Sequence, residues 1–198
     1  MSELANNLVP PETLVDIASA KGFLGREFLT WLWYAAESQT ETLSFDVDGL
    51  VVETRIWVDD RMVLESSNLG VHTIKGGRPG QSAEAAVALQ SGKVVSELRF
   101  GLDIAGWGAF TATVDHRDLN PRSLKLPIDD PDQVLSLGAD ESTLERRLKL
   151  TQVFFTVFDE LFRHYLELRL NDTWEEKEHE ALKTWIRNLY QENASLYH

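Results

Sequence analysis

Apolar positions along this chain recur first with a helical period, then with a period of two, then with a helical period again. Pro10-Pro11 leads into a short predicted helix over 11–20, with Pro11 suited to the first turn, and Lys21-Gly22 ends it. Leu24, Phe28, Trp31, Leu32 and Ala35 then fall at i, i+4, i+7, i+8 and i+11, one face of a helix. Phe23, Leu29, Trp33 and Tyr34 widen that face, so the helix is expected to be buried on most sides.

A run of strands follows. Leu43 to Val47 and Leu50 to Val58 flank Asp48-Gly49, a two-residue hairpin turn whose residues tolerate the positive φ it demands. In the second strand Val52, Thr54, Ile56 and Val58 share one face, while Val51, Glu53, Arg55 and Trp57 share the other. Asp59-Asp60 reads as a further turn into Met62–Glu65, and Asn68 and Gly70 break the chain before Val71–Lys75. Gly76 to Gly80 is a loop. Ser82 caps a short Ala-rich helix to Gln90, and Ser91-Gly92 stops it. From Lys93 to Ile104 the alternation places Val94, Ser96, Leu98, Phe100, Leu102 and Ile104 on one face, the mark of a half-solvated antiparallel strand. Ala105-Gly106 turns the chain back through Trp107–His116.

Residues 117–139 read as a Pro- and Asp-rich connection, and a long helix runs from Asp140 to Leu170, apolar nearly all round after Leu150 and so expected in the core. A last helix, to residue 192, carries Trp174, Ala181, Leu182, Trp185 and Leu189 on one face. The fold class expected is α+β in a single domain. It comprises a helical lead-in (1–40), an antiparallel sheet of five or six strands with helix 82–90 inserted (41–117), and a helical hairpin (140–193).

Charge narrows the function classes. The chain has 198 residues and a formal net charge of −13, which excludes a uniformly basic nucleic-acid binder. The acidity is concentrated in residues 1–60, at net −8, against −2 in 61–140 and −3 in 141–198. There are no cysteines, hence no disulfide, no Cys-zinc site and no thiol nucleophile. The N-terminus lacks a basic stretch followed by an apolar one, and no run of about 18 uncharged apolar residues occurs. A soluble, cytoplasmic protein without membrane contact is the expectation.

The candidate chemistry is thin. Gly76-Gly-Arg-Pro-Gly-Gln-Ser82 opens a helix but lacks the Lys that a P-loop places on its phosphates, leaving a plain strand-to-helix loop or a single anion site at Arg78. Asp46, Asp48, Gly49 and Glu53 fail the spacing of a calcium loop, and the lone Glu176-x-x-His179 step lacks the second set a di-iron bundle needs, so no metal and no cofactor are expected. No serine-hydrolase or zinc-protease motif is present; acid–base work by His72 or His116 with a carboxylate is the one catalytic exception. Phe28, Trp31, Phe155, Phe158 and Phe162 recur at helical spacing, which marks core. Trp57 shares its face with Glu53 and Arg55 and is the candidate partner surface. The basic candidates for phosphate contact are Lys75 with Arg78, then Arg117, Arg122 and Lys125, then Arg146 with Arg147.

The stretch Gly25-Arg-Glu-Phe-Leu-Thr-Trp-Leu-Trp-Tyr34 resembles a segment of the form G-R-E/D-F/L-L-x-W-L-W in the RdgC family of bacterial recombination-associated proteins. Leu-Lys-Leu-Pro at 124–127, and Glu145-Arg-Arg followed by an apolar helix ending in Leu166-Glu-Leu-Arg169, are similar to shorter motifs of compact relatives. The resemblance spans most of this chain but only the C-terminal portion of a full family member. It implies a DNA-recombination accessory protein at the nucleoid, binding duplex DNA with little sequence preference, forming a ring-shaped dimer and restraining recombinase loading. The chain departs from it by its shortness and its acidity, so a separate basic chain supplying the missing N-terminal portion is an expected partner. The matched motifs carry no DNA-contacting residue. The alternative expectation is an acidic protein–protein interaction module with no nucleic-acid role, homodimeric through an exposed aromatic strand face.

Overall fold

The computed structural model describes residues 23–38, 42–47, 49–66, 68–127, 141–174 and 176–194; the helix expected over 11–20 lies outside them. Helix α1 (Phe23–Ser38) is followed by β1 (Leu43–Val47), β2 (Leu50–Ser66) and β3 (Gly70–Lys75). A 3-10 turn (Pro79–Gln81) leads to α2 (Ala83–Gln90), then β4 (Val94–Ile104), β5 (Gly108–Asp115) and β6 (Arg122–Lys125). Two helices close the order, α3 (Glu141–Leu170) and α4 (Glu178–Ala194). The fold is α+β: one six-stranded antiparallel sheet with the helices on one side. β1 and β3 lie end to end along one edge, both paired to β2; β4, β5 and β6 follow in that order.

Three local readings are corrected. Asp59-Asp60 does not turn the chain, because β2 runs unbroken from Leu50 to Ser66. Val58 pairs with Phe100 and Met62 with Leu98, so Asp59, Asp60 and Arg61 all stand opposite Arg99. The bulge holds two extra residues, an even number, and Val58 and Met62 therefore stay on the same face. A second bulge falls at Ser96, where Val63 pairs with Glu97 but Leu64 with Val95. One extra residue flips the alternation, so Val95 is fully buried and Val94 only partly, against the expected order. The connection after residue 116 also contains a short strand, β6, whose register against β5 shifts between Thr111 and Thr113. Pro121, Pro127 and a positive φ at Ser123 hid it from a reading of alternation.

The core lies between the sheet and the helices. Phe28, Leu29, Leu32 and Trp33 of α1 are fully buried, as the helical spacing predicts. From α3 the buried residues are Leu150, Val153, Phe154, Val157, Phe158, Leu161 and Tyr165, one stripe of the helix. Gln152, Asp159 and Arg163 face solvent, so α3 is not buried all round. Phe154 meets Phe100, Phe110, Phe155 and Phe158 with ring centroids 5.6–6.3 Å apart. Tyr165 donates to Glu27 at 2.8 Å, and Arg169 reaches the same carboxylate at 2.6 Å, which ties α3 to α1. Burial and the Glu27 charge push the Tyr165 phenol well above its usual value, so it stays a donor. On α4, Leu182 and Leu189 are buried and Trp185 meets Trp33 edge-on at 5.0 Å, whereas Ala181 is exposed.

Candidate interaction surface

One face of the sheet receives α1, α2 and α3; among the described residues no helix packs on the other. That open face is built from the odd-numbered positions of β2, with Val51, Glu53 and Arg55 exposed and Trp57 half-buried. Trp57 pairs across the ladder with Gly101. A Cβ added at Gly101 would stand 2.0 Å from Cζ2 of the indole, so the ring lies directly on the glycine backbone. Glycine weakens a strand interior, and an aromatic ring over it restores the lost contact. Beside this pair the two-residue bulge sets Asp59 at 2.8 Å and Asp60 at 3.4 Å from Arg99 Nε, while Arg61 pairs with Glu97 at 2.9 Å. Gly101, Asp59, Asp60 and Arg99 were not legible as a site, since the face depends on a pairing register that one-strand periodicity does not contain.

The basic candidates do not converge. Lys75 and Arg78 are exposed at the β3 end of the sheet, and Arg122 and Lys125 are exposed on β6, at the opposite edge. Four inter-strand steps separate these edges, about 19 Å at ~4.8 Å per step. Arg122 is paired with Asp118, and Arg117 forks onto Asp115 at 2.6 and 2.9 Å. Arg146 and Arg147 are exposed on the first turns of α3. The glycine loop is held by carbonyl and carboxylate groups: Trp33 Nε1 donates to the Gly80 carbonyl at 3.1 Å, and Gln81 donates to Glu37 at 2.9 Å. A Glu37 carboxylate beside the loop disfavours an anion there. The loop therefore straps α2 to α1, with Arg78 in the left-handed region at φ 63°.

The two candidate histidines stand apart. His72 is half-exposed with Nε2 3.7 Å from Glu84. His116 is buried; its Nδ1 lies 3.0 Å from the Ser96 carbonyl, which the second bulge turns towards it, and its Nε2 lies 3.7 Å from Glu65. Glu65 in turn accepts from Arg26 at 2.7 Å. A buried imidazole facing a main-chain carbonyl and an already paired carboxylate joins α1 to the sheet. Among the described residues no three His, Asp or Glu side chains are grouped as metal ligands, and no helix is long and apolar enough to cross a membrane. Asp46 instead accepts from the Gly49 backbone at 2.8 Å and closes the first hairpin; Asp48 lies outside the described residues.

Asp115 supplies a pH-dependent element. Hydrogen bonds from the Arg117 side chain and backbone hold its carboxyl down to about 2, against the opposing effect of burial. A carboxyl depressed on folding contributes stability above its unfolded value near 4, and that contribution is lost as the pH falls towards 2. Asp115→Asn is expected to be less stable than the parent at pH 6, with the gap narrowing towards pH 2 in urea unfolding; a gap independent of pH would reject the assignment.

No family model, curated protein or solved structure matches this chain.

Proposed function

We propose that this chain is a non-enzymatic, acidic protein–protein interaction module whose open sheet face, centred on Trp57, receives a partner. The observation that carries the reading is the Trp57–Gly101 pair on a face that no described helix covers. A partly buried indole flanked by charged side chains has the composition of a binding hot spot with a polar rim. Exposed Glu53, Asp60 and Asp103 around it favour a partner of basic character. The test places a photo-activatable aromatic residue at position 57 in the native host, with Ser123 on β6 as the control site. Adducts to a protein chain from position 57 and not from 123 are expected. Equal adduct yields at both sites, or none, would remove the face from consideration.

A second reading, the RdgC-like recombination accessory at the nucleoid, draws on the Trp-dense α1 segment and on exposed Lys75 and Arg78 at one corner of the sheet. Against it stand the placement of Lys75 and Lys125 at opposite edges of the sheet and the net charge of −13. A duplex-DNA shift assay at low salt separates the two. The interaction module gives no shift by this chain alone; a salt-sensitive shift lost in Lys75→Ala/Arg78→Ala would favour the accessory protein instead.

A further inference from the structure

The two edges of the sheet are built differently. β6 is four residues long, bulged, flanked by Pro121 and Pro127, and carries Arg122 and Lys125, all devices that discourage strand addition. β3 has none of the first three. Its six residues pair with β2 in unbroken register, Gly70 to Lys75 against Ser66 to Arg61. The Gly76 amide donates to the Asp60 carbonyl at 2.9 Å. Alternation along an antiparallel ladder then directs the backbone groups of Ile74 and His72 to β2, and those of Lys75, Thr73 and Val71 outward. Among the described residues no strand accepts them. Val71 is 67% exposed on this strand, and Val87 of α2 is 54% exposed. On the opposite face from Val71, His72 and α2 line a groove of about 410 Å³ with Ala83, Val87 and Ala88, and with Glu84 and Lys93 among its polar residues.

We infer that the β3 edge and the α2 groove form a self-association site, occupied by a second copy of this chain about a twofold axis at Thr73. Antiparallel pairing sets Thr73 opposite its counterpart and Val71 opposite the other copy's Lys75. The same axis reverses α2. Glu84 at the start of one helix then lies against Lys93 beyond the end of the other, and Val87 meets its own counterpart. This reciprocal charge match selects a second copy over a foreign strand. A six-residue strand pair alone falls short of the roughly 1,200 Å² a stable interface buries, so the adjoining helix face has to take part.

Sedimentation velocity of the full chain over a concentration series tests the inference. A monomer–dimer equilibrium is expected. Val87→Glu should raise the dissociation constant about tenfold or more, and Thr73→Pro, which removes an outward amide and no bond to β2, should abolish the dimer. Glu84→Lys and Lys93→Glu should each weaken association, and the double exchange should restore it. Trp57→Ala should leave the dimer unchanged, which keeps this site distinguishable from the Trp57 face. A chain monomeric at every concentration overturns the inference. So does a dimer indifferent to Val87→Glu and the charge exchanges while circular dichroism shows the variants folded.

Discussion

Gly25→Ala should destabilise the protein by about 3 kcal/mol or more, although alanine is the better helix former. Gly25 lies in the first turn of α1, where a Cβ would stand 2.0 Å from the His116 carbonyl oxygen and 2.8 Å from its carbon. Both are main-chain atoms at the end of β5, so no side-chain rotation relieves the overlap, and helix and sheet must separate. That separation pulls Arg26 from Glu65 at 2.7 Å and opens the buried His116. Helix propensity offers at most ~1 kcal/mol in return, so the steric effect decides the sign. Chemical denaturation measures it. A variant as stable as the parent, or more stable, would show that α1 does not approach β5 this closely.

Phe154→Ala should cost about 3–5 kcal/mol, within the range for truncating a fully buried aromatic. Phe154 is completely buried on α3 and touches rings from two strands, Phe100 of β4 and Phe110 of β5, as well as Phe158 one turn along. Its neighbour Phe155 is only partly buried, on the flank of the same helix. Phe155→Ala should therefore lose clearly less, on the order of 1–2 kcal/mol. Thermal melts of the two variants provide the comparison. Equal losses would mean that α3 is rotated relative to the sheet, with its stripe shared between the two rings.

The contrast between Phe154 and Phe155 shows where a reading of the chain runs short. Both are apolar and adjacent, and from Leu150 onward the helix looks buried on every side. Burial of one ring and partial exposure of the other follow from which side of α3 meets β4 and β5, a matter of docking that helical spacing does not specify. His116 repeats the point. Its type admits acid–base chemistry, yet the Ser96 bulge and the Arg26–Glu65 pair enclose it as a joint between α1 and the sheet. The basic residues repeat it again, since Arg117 and Arg122 are each engaged by a nearby aspartate.

Local sequence was sufficient for the order of the described helices, the α+β class, the buried stripe of α1 and the first hairpin, but not for β6. Each of these arises from side-chain period or turn chemistry within a few residues, and solvent acts on that pattern directly. Tertiary structure alone decided the continuity of β2, where Asp59 and Asp60 are tolerated because Arg99 on the next strand neutralises them. It likewise decided which ring covers Gly101, which edge of the sheet is guarded and which is bare. Those features depend on partners brought in from distant positions, and their energies exist only once the strands are side by side.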